Sequence, residues 1–327
     1  MTRVEECIDS YKRWCAKLGV TKISDVNRAV SEGRSSELVN LGEIRHEQSI
    51  SQIAQRIFEN PQKRLILISG PSSSGKTTFA SRLKLHLKVL GIEAVTISLD
   101  NYFIKTEDMP LGDDGKADFE SFESIDYRLF NEHIMELICG GEVSMPRFDF
   151  ERAVPVPDAQ KLRLKNDEII IIEGIHALNE KLAENVPEQN RYRIYCTALT
   201  CLETDGGDTI SSTATRLIRR TIRDFYFRNT SASYTFDLWA NVEKGAKKNI
   251  YPYTDSADIV FNSSLLYEFG VYEKHLKKVF ANVNLSPEYE KIRQSMFDLT
   301  ENFVPIDESI VPPMSIVKEF TGGSTLF

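Results

Sequence analysis

Gly70-Pro71-Ser72-Ser73-Ser74-Gly75-Lys76-Thr77 decides the reading of this chain. Two glycines five apart, followed by Lys and Thr, have the spacing of a phosphate-binding loop. The apolar run Leu65-Ile66-Leu67-Ile68 leads into it and a helical pattern leaves it, which is the context that spacing needs. A loop of this kind aims backbone N–H groups at a polyphosphate, and the positive end of the following helix favours the anion. Lys76 is expected to reach the β and γ phosphates and the Thr77 hydroxyl to bind Mg²⁺. The competing reading, an ordinary Gly/Ser turn before a helix, explains neither the Lys nor the flanking strand.

Outward from the loop, the pattern is that of alternating strands and helices. A first strand is predicted at about 63–69, after a break at Pro61. The helix beyond the loop buries Phe79, Leu83, Leu87 and Leu90 and stops at Gly91. Ala94-Val95-Thr96-Ile97-Ser98 reads as a second strand, 104–125 as a long acidic loop and about 126–139 as a helix. Glu168-Ile169-Ile170-Ile171-Ile172 contains the continuous apolar run of a central strand buried on both faces. Arg191–Tyr195 and Asp258–Phe261 are further strand candidates. The sum predicts an α/β fold with a parallel sheet and right-handed crossovers, its ligands at the carboxyl ends of the strands. Residues 1–60 read as a helical N-terminal extension, with Ile50, Ile53, Ile57 and Phe58 as its packing stripe. Residues 61–285 read as the phosphate-loop domain, with a lid at about 216–250, and 286–327 as a C-terminal helical or tail segment packing on it.

The bulk properties set limits. The chain has 327 residues, 41% hydrophobic and 27% charged, a balance that suits a soluble globular protein. No apolar run approaches the ~20 residues a membrane span needs, and the N-terminus lacks the apolar core of a signal peptide. The net charge of −8 argues against a nucleic-acid partner. Five scattered cysteines without a CxxC pair read as reduced, buried thiols of a cytoplasmic protein. A homo-oligomer is compatible with all of this. Asp113-Asp114-Gly115-Lys116 imitates a calcium loop only superficially, because its glycine is misplaced.

Three features fall at carboxyl ends of predicted strands: the phosphate loop, Leu99-Asp100-Asn101-Tyr102-Phe103 and Glu173-Gly174-Ile175. Glu173 can hold Mg²⁺ opposite Thr77, and Asp100 can accept the proton of an attacking hydroxyl. Asp100 also suits a turn or N-cap, whereas Glu173 buried without a cation would be costly. A fourth feature is basic. Arg216, Arg219, Arg220 and Arg223 project within a ~100° arc of one helix, with Asp224 alone to offset them. Such a face wants a polyanion, and its arginines can clamp a triphosphate and stabilise the transferring phosphoryl group; a solvated basic face is the bland alternative. Arg228 sits just beyond, before the Asn229-Thr230-Ser231 turn, as expected of a mobile lid. His176, after Glu173-Gly174-Ile175, suits either a substrate contact or a hydrogen-bonded near-core histidine. Trp239 and Tyr251-Pro252-Tyr253 are read as packing.

Together these residues resemble the uridine kinase and phosphoribulokinase family of P-loop kinases. The matching pieces are Gly70–Thr77, Ser98–Phe103, Phe148-Asp149-Phe150, Glu173-Gly174-Ile175 and the arginine helix running on to Arg228. A closer resemblance, from about residue 18 onward, is to prokaryotic-type uridine kinase-like proteins. It rests on the helical lead-in, Asp237-Leu238-Trp239 to Tyr251-Pro252-Tyr253, and the tail Pro312–Ile316 and Gly322-Gly323-Ser324. Many members of that subgroup carry an N-terminal domain like that of threonyl-tRNA synthetases, for which the start of this chain is too short. The resemblance implies a P-loop NTPase fold and ATP with Mg²⁺. It gives Asp100, Lys76, Arg220 and Arg223 catalytic positions, and Thr77, Glu173 and Asp100 the metal. Nucleotide contacts fall to Gly70, Ser72, Ser73, Ser74, Gly75, Lys76, Thr77, Thr78 and Arg228. Substrate contacts fall to Phe103, Glu120, Phe148, Phe150, His176 and Arg220.

The chain also departs from the family. Uridine kinases proper use an aspartate on the ribose where this chain has Glu120, one methylene longer. Phe148 replaces a tyrosine, and Glu151-Arg152-Ala153-Val154-Pro155 lacks the base-reading histidine, a loss of the kind that erodes discrimination. The expectation is a kinase acting on a small-molecule hydroxyl, with uridine or cytidine as first acceptor. A sugar, polyol or sugar phosphate is the alternative acceptor, and a nucleotide-gated regulatory module the alternative of another class.

Overall fold

The computed structural model describes every residue of 1–327 except Asp114, Glu151 and Asn166. Three helices come first: α1 (Arg3–Leu18), α2 (Ile23–Ser31) and α3 (Ser35–Phe58). Then follow β1 (Leu65–Ser69), α4 (Lys76–Val89), β2 (Ala94–Ser98), α5 (Tyr127–Ile138), β3 (Glu142–Asp149), β4 (Val154–Arg163), β5 (Ile169–Glu173) and β6 (Arg191–Thr197). The remainder is α6 (Ser212–Phe227), α7 (Ala232–Asn249), β7 (Ile259–Asn262), α8 (Glu268–Val279), α9 (Pro287–Thr300) and α10 (Val317–Thr321).

Five strands form one parallel sheet in the order β2-β5-β1-β6-β7. β1 and β5 are buried along their whole length, which explains why their sequences are continuous apolar runs rather than alternating ones. The two-residue period of a strand sorts their side chains into two cores. Ile66, Ile68, Ile169 and Ile171 join the helical side built from α1–α4, α6 and α8–α10. Leu65, Leu67, Ile170 and Ile172 join Phe103, Phe130, Val143, Met145 and Phe148 on the other side. The architecture is α/β with a parallel sheet flanked by helices, as the alternation of elements predicts.

Three readings need correction. The strands predicted from sequence omit a pair: around Pro146–Phe150, β3 and β4 form a separate antiparallel hairpin, with Phe148 paired to Pro155. Its signal is weak because β4 is mostly exposed and carries Pro155 and Pro157, which a sheet tolerates only at an edge. Phe58 is half exposed while Ile50, Ile53 and Ile57 are buried, so the packing stripe of α3 stops one residue earlier. Among the five cysteines Cys139 is exposed and Cys7 partly so; all five are free thiols. Of the acidic tetrapeptide 113–116, Asp114 lies outside the described residues, as does Glu151 beyond Phe150. No described helix is long and apolar enough to cross a membrane.

Candidate active site

Register decides what meets at the carboxyl edge of the sheet. Glu173, the last residue of β5, lies beside Ile68 of β1 on one side and Ser98 of β2 on the other. The turns that begin at Gly70 and Leu99 therefore emerge on either side of its carboxylate. Asp100 sits in a single 3-10 turn, Leu99–Tyr102, braced from below by the β3 strand. Gly174 is required here, since a Cβ would run into the Leu99 side chain.

The loop between β1 and α4 is built for a close approach. A Cβ at Gly70 would collide with the backbone carbonyl of Cys196, so only glycine lets β1 turn past β6. Gly75 takes a left-handed φ of 84° as the N-cap of α4. The first amides of α4 have no intrahelical acceptor, and the helix dipole adds positive potential there. The hydroxyls of Ser73 and Ser74 are buried with no hydrogen-bond partner. Lys76 is buried, its ammonium donating to the Pro71 carbonyl at 3.2 Å, while Thr77 faces outward. Orphaned donors around a helix N-terminus are what a polyphosphate would satisfy. One member of the predicted nucleotide set is already engaged. The Thr78 amide and hydroxyl both donate to a carboxylate oxygen of Glu319, at 3.1 Å and 2.6 Å.

The carboxylates carry the electrostatics of the site. Burial pushes the Glu173 carboxyl up to about 7, the charge of Asp100 pushes in the same direction, and Lys76 opposes both. Burial likewise pushes Glu120 up to about 7, against the pull of Arg220 and Lys76. One carboxylate oxygen of Glu120 is buried without a partner. Helix α7 comes this close only because its Gly245 has no side chain to strike Glu120. Among the described residues no three His, Cys, Asp or Glu groups could cage a metal unaided. Mg²⁺ takes one or two carboxylates and completes its shell with water and phosphate oxygens. The mutually repelling Glu173 and Asp100, with the open Thr77 hydroxyl, fit that donor set.

The basic helix α6 divides its arginines between two tasks. Arg219 is fully buried, paired with Glu268 at 2.8 Å and bonded to Ser263. Arg216 is also fully buried, paired with Glu243 and set over the Trp239 ring. These two are structural, and the sequence-based expectation of a four-arginine clamp is corrected on that point. Arg220, Arg223 and Arg228 instead converge on one carboxylate, Asp224, at 3.3, 2.8 and 3.7 Å. Three guanidinium groups around one acid leave unbalanced positive charge. Repulsion from Arg223, then burial, pushes Arg228 down to about 10, and burial lowers Arg220. Arg220 also reaches the phosphate loop, donating to the Ser72 hydroxyl at 3.0 Å.

A cleft of about 460 Å³ opens between the phosphate loop and helices α6 and α7, lined by Ser72, Asp100, Phe103, Phe119, Glu120, Phe150, Ile175, Arg220, Arg228 and Tyr234 among others. The structure thus brings most of the predicted acceptor side together. It leaves out two predicted substrate residues. Phe148 is buried behind the cleft, stacking edge-on against Phe103 and Phe150. His176 is sealed edge-on against Phe122, and burial pushes its imidazole down to about 4, so it is neutral and out of reach. Arg223 is spent on Asp224 and is not among the residues lining the cleft. Phe119, Tyr234 and Glu319 are the residues sequence reasoning passed over. Phe119 stands beside Glu120, and Tyr234 lies within the stretch read as a lid; Glu319 is 241 positions from Thr78 and carries no local signal.

A parallel sheet with a phosphate loop at its carboxyl edge is the architecture of a P-loop protein. Residues 65–203 match the Phosphoribulokinase / Uridine kinase family. The uridine kinase of Halobacterium salinarum is 27% identical over 194 residues, covering 59% of this chain and 77% of that protein. The uridine kinase of Borrelia garinii subsp. bavariensis is 29% identical over 230 residues, covering 66% and 96%. A possible uridine kinase from Bacillus stearothermophilus, known as a solved structure, has a TM-score of 0.41 at 18% identity over 67% of this chain and 100% of its own. Over residues 65–203 the chain is phosphoribulokinase/uridine kinase-like, and it is a phosphotransferase with a hydroxyl group as acceptor.

Proposed function

We propose that this kinase transfers the γ-phosphoryl group of ATP, with Mg²⁺, to a hydroxyl of a small molecule, the 5′-hydroxyl of uridine or cytidine being the first candidate. The observation that carries the reading is that Ser72 of the loop, Asp100 and Arg220 line one cleft, with Arg220 bonded to Ser72 and Glu173 near enough to Asp100 to feel its charge. The nucleoside comes from the uridine kinases among its relatives.

In this reading the loop amides, the Ser73 and Ser74 hydroxyls and Lys76 hold the β and γ phosphates. Thr77, Glu173 and Asp100 would hold Mg²⁺, which would supply neutralisation of the phosphate charge. Asp100 accepts the proton of the acceptor hydroxyl as its oxygen attacks. Arg220, already oriented by Ser72 and Asp224, stabilises the charge that spreads over the equatorial oxygens. Arg228, beside the exposed Phe150 ring at 5.9 Å, closes the solvent side. Phe103, Phe119 and Tyr234 offer flat apolar walls for a base or sugar face, and Glu120 offers a hydrogen-bonding group for a polyol.

A second acceptor class, a sugar, polyol or sugar phosphate, is favoured by one observation: no histidine is among the residues lining the cleft, and His176 is sealed away from it. Purified protein with labelled ATP and Mg²⁺, offered nucleosides, sugars and sugar phosphates in parallel, tests both. Acceptor-dependent ADP release with uridine or cytidine supports the nucleoside. Release driven by a sugar alone moves the assignment to the second class, and transfer only to water contradicts both.

A further inference from the structure

The C-terminal segment does more than cover the helical face. Ile316, Val317 and Phe320 are completely buried, and Ile316 fills the space above Gly75 in the phosphate loop. The Phe320 ring lies under the Arg219 guanidinium at 5.2 Å. Glu308, earlier in the same segment, collects Lys318 at 2.9 Å and Thr321 at 2.7 Å from α10, and His275 at 2.9 Å and Lys274 at 2.8 Å from α8. This hub pins α10 against the body, and α10 in turn delivers Glu319 to the loop.

What Glu319 does there is unusual for a polyphosphate site. Its carboxylate accepts from both the amide and the hydroxyl of Thr78, in the first turn of α4. A carboxylate at those donors satisfies them as an N-cap would, and it interacts favourably with the helix dipole. It does so where a nucleotide's phosphates would also seek donors. Its charge also reaches Glu173, pushing that carboxyl in the same direction as Asp100 does. A polyphosphate arriving at the loop must therefore displace one anion and sit near two more.

We propose that Glu319 is a built-in anion that occupies the Thr78 donors of the phosphate loop until a polyphosphate displaces it, making the C-terminal segment a tethered competitor for nucleotide. The inference rests on the nucleotide-binding reading of the loop given above. It makes the affinity for nucleotide adjustable from the far end of the chain: whatever loosens the Glu308 hub frees the site. A purely structural cap would instead stabilise α4 and leave nucleotide affinity alone or improve it.

The test is equilibrium binding of Mg·ATP, inorganic tripolyphosphate and adenosine to the full-length protein and to Glu319→Gln and Glu319→Ala. The Gln variant keeps the shape and one acceptor for Thr78, so it decides the matter if the Ala variant folds poorly. The expected result is binding of Mg·ATP and tripolyphosphate tighter by about ten-fold or more in the Gln variant, and by at least as much in the Ala variant, from the removal of like charge. Adenosine, which has no phosphate, gains nothing. Unchanged or weaker Mg·ATP binding in Glu319→Gln overturns the inference while leaving the nucleotide reading intact. Absence of Mg·ATP and tripolyphosphate binding in all three proteins overturns the nucleotide reading, and this inference with it.

Discussion

Arg220 on α6 donates to the hydroxyl of Ser72 in the phosphate loop, 148 residues earlier, across 3.0 Å. The bond joins α6 to the loop, and Asp224, an ion-pair partner of Arg220 one turn on, fixes the guanidinium from behind. An arginine held this way loses little freedom on meeting a phosphoryl group.

Replacing it therefore removes a group aimed at the reacting centre. Arg220→Ala is expected to lower kcat by roughly 10²–10³-fold. Arg220→Lys restores little, because an ammonium cannot keep Ser72 and Asp224 while also reaching the phosphate. Steady-state kinetics with thermal unfolding checks both; a wild-type kcat in the Ala variant would take Arg220 out of the mechanism.

The two groups nearest the chemistry separate by what they impair. Asp100→Asn is expected to abolish transfer by removing the proton acceptor and leave ATP binding nearly unchanged, since the loop amides and Lys76 hold the phosphates and Asn keeps an oxygen for the metal. Lys76→Ala weakens nucleotide binding or transfer, because the buried ammonium is part of the phosphate cradle. Binding titrations beside single-turnover assays distinguish them, and an active Asp100→Asn enzyme would contradict the base assignment.

Glu173 predicts two pH effects of definite sign. Its carboxyl, pushed up to about 7 by burial and by Asp100, is protonated in the free native state at pH 5 and ionised at pH 8. The unfolded chain releases that proton near 4.5, so the native state binds more protons between about 4.5 and 7. This group's contribution to stability therefore falls as pH rises through that window. Glu173→Gln should raise the thermal midpoint of the apoprotein at pH 8 and leave it nearly unchanged at pH 5. Since a cation competes with the proton, apparent Mg²⁺ affinity should climb as pH rises from 6 and level off above about 7. A native protein and Gln variant with parallel stability profiles would rule this out.

Arg219 supplies the contrast to Arg220. Glu268→Gln strands its fully buried guanidinium without a counter-charge and is expected to cost about 3–5 kcal/mol. The loss should appear as a lower midpoint in chemical denaturation. Under conditions where the variant remains folded, its KM for ATP should stay within a factor of about three, since a change of that size is well under 1 kcal/mol. A stable Glu268→Gln protein would mean that Arg219 finds another partner.

The loop and the sheet were legible because their signals are local. Leu65–Ile68, the glycine spacing and Lys76-Thr77 sit within a dozen residues, and the Ile169–Ile172 run can be little else than a central parallel strand. The β3–β4 hairpin was hidden by its prolines and by a β4 face that never needed to be apolar. The basic helix was visible as a basic face. The division of labour within it was not, because Arg219 and Arg220 are neighbours in sequence and their difference comes from Glu268 on one side and Ser72 on the other.

Sequence alone determined that a polyphosphate loop, two carboxylates and an arginine helix exist in this chain and which strands carry the first two. Periodicity and motif spacing report what a segment offers from its own residues. Tertiary structure decided that Phe148 and His176 are interior, that Arg220 lines the cleft while Arg219 is buried against Glu268, and that Glu319 holds Thr78. Each of those outcomes depends on a partner 45 to 241 residues away. Burial and charge at such contacts are set by what packs opposite, which no local pattern encodes.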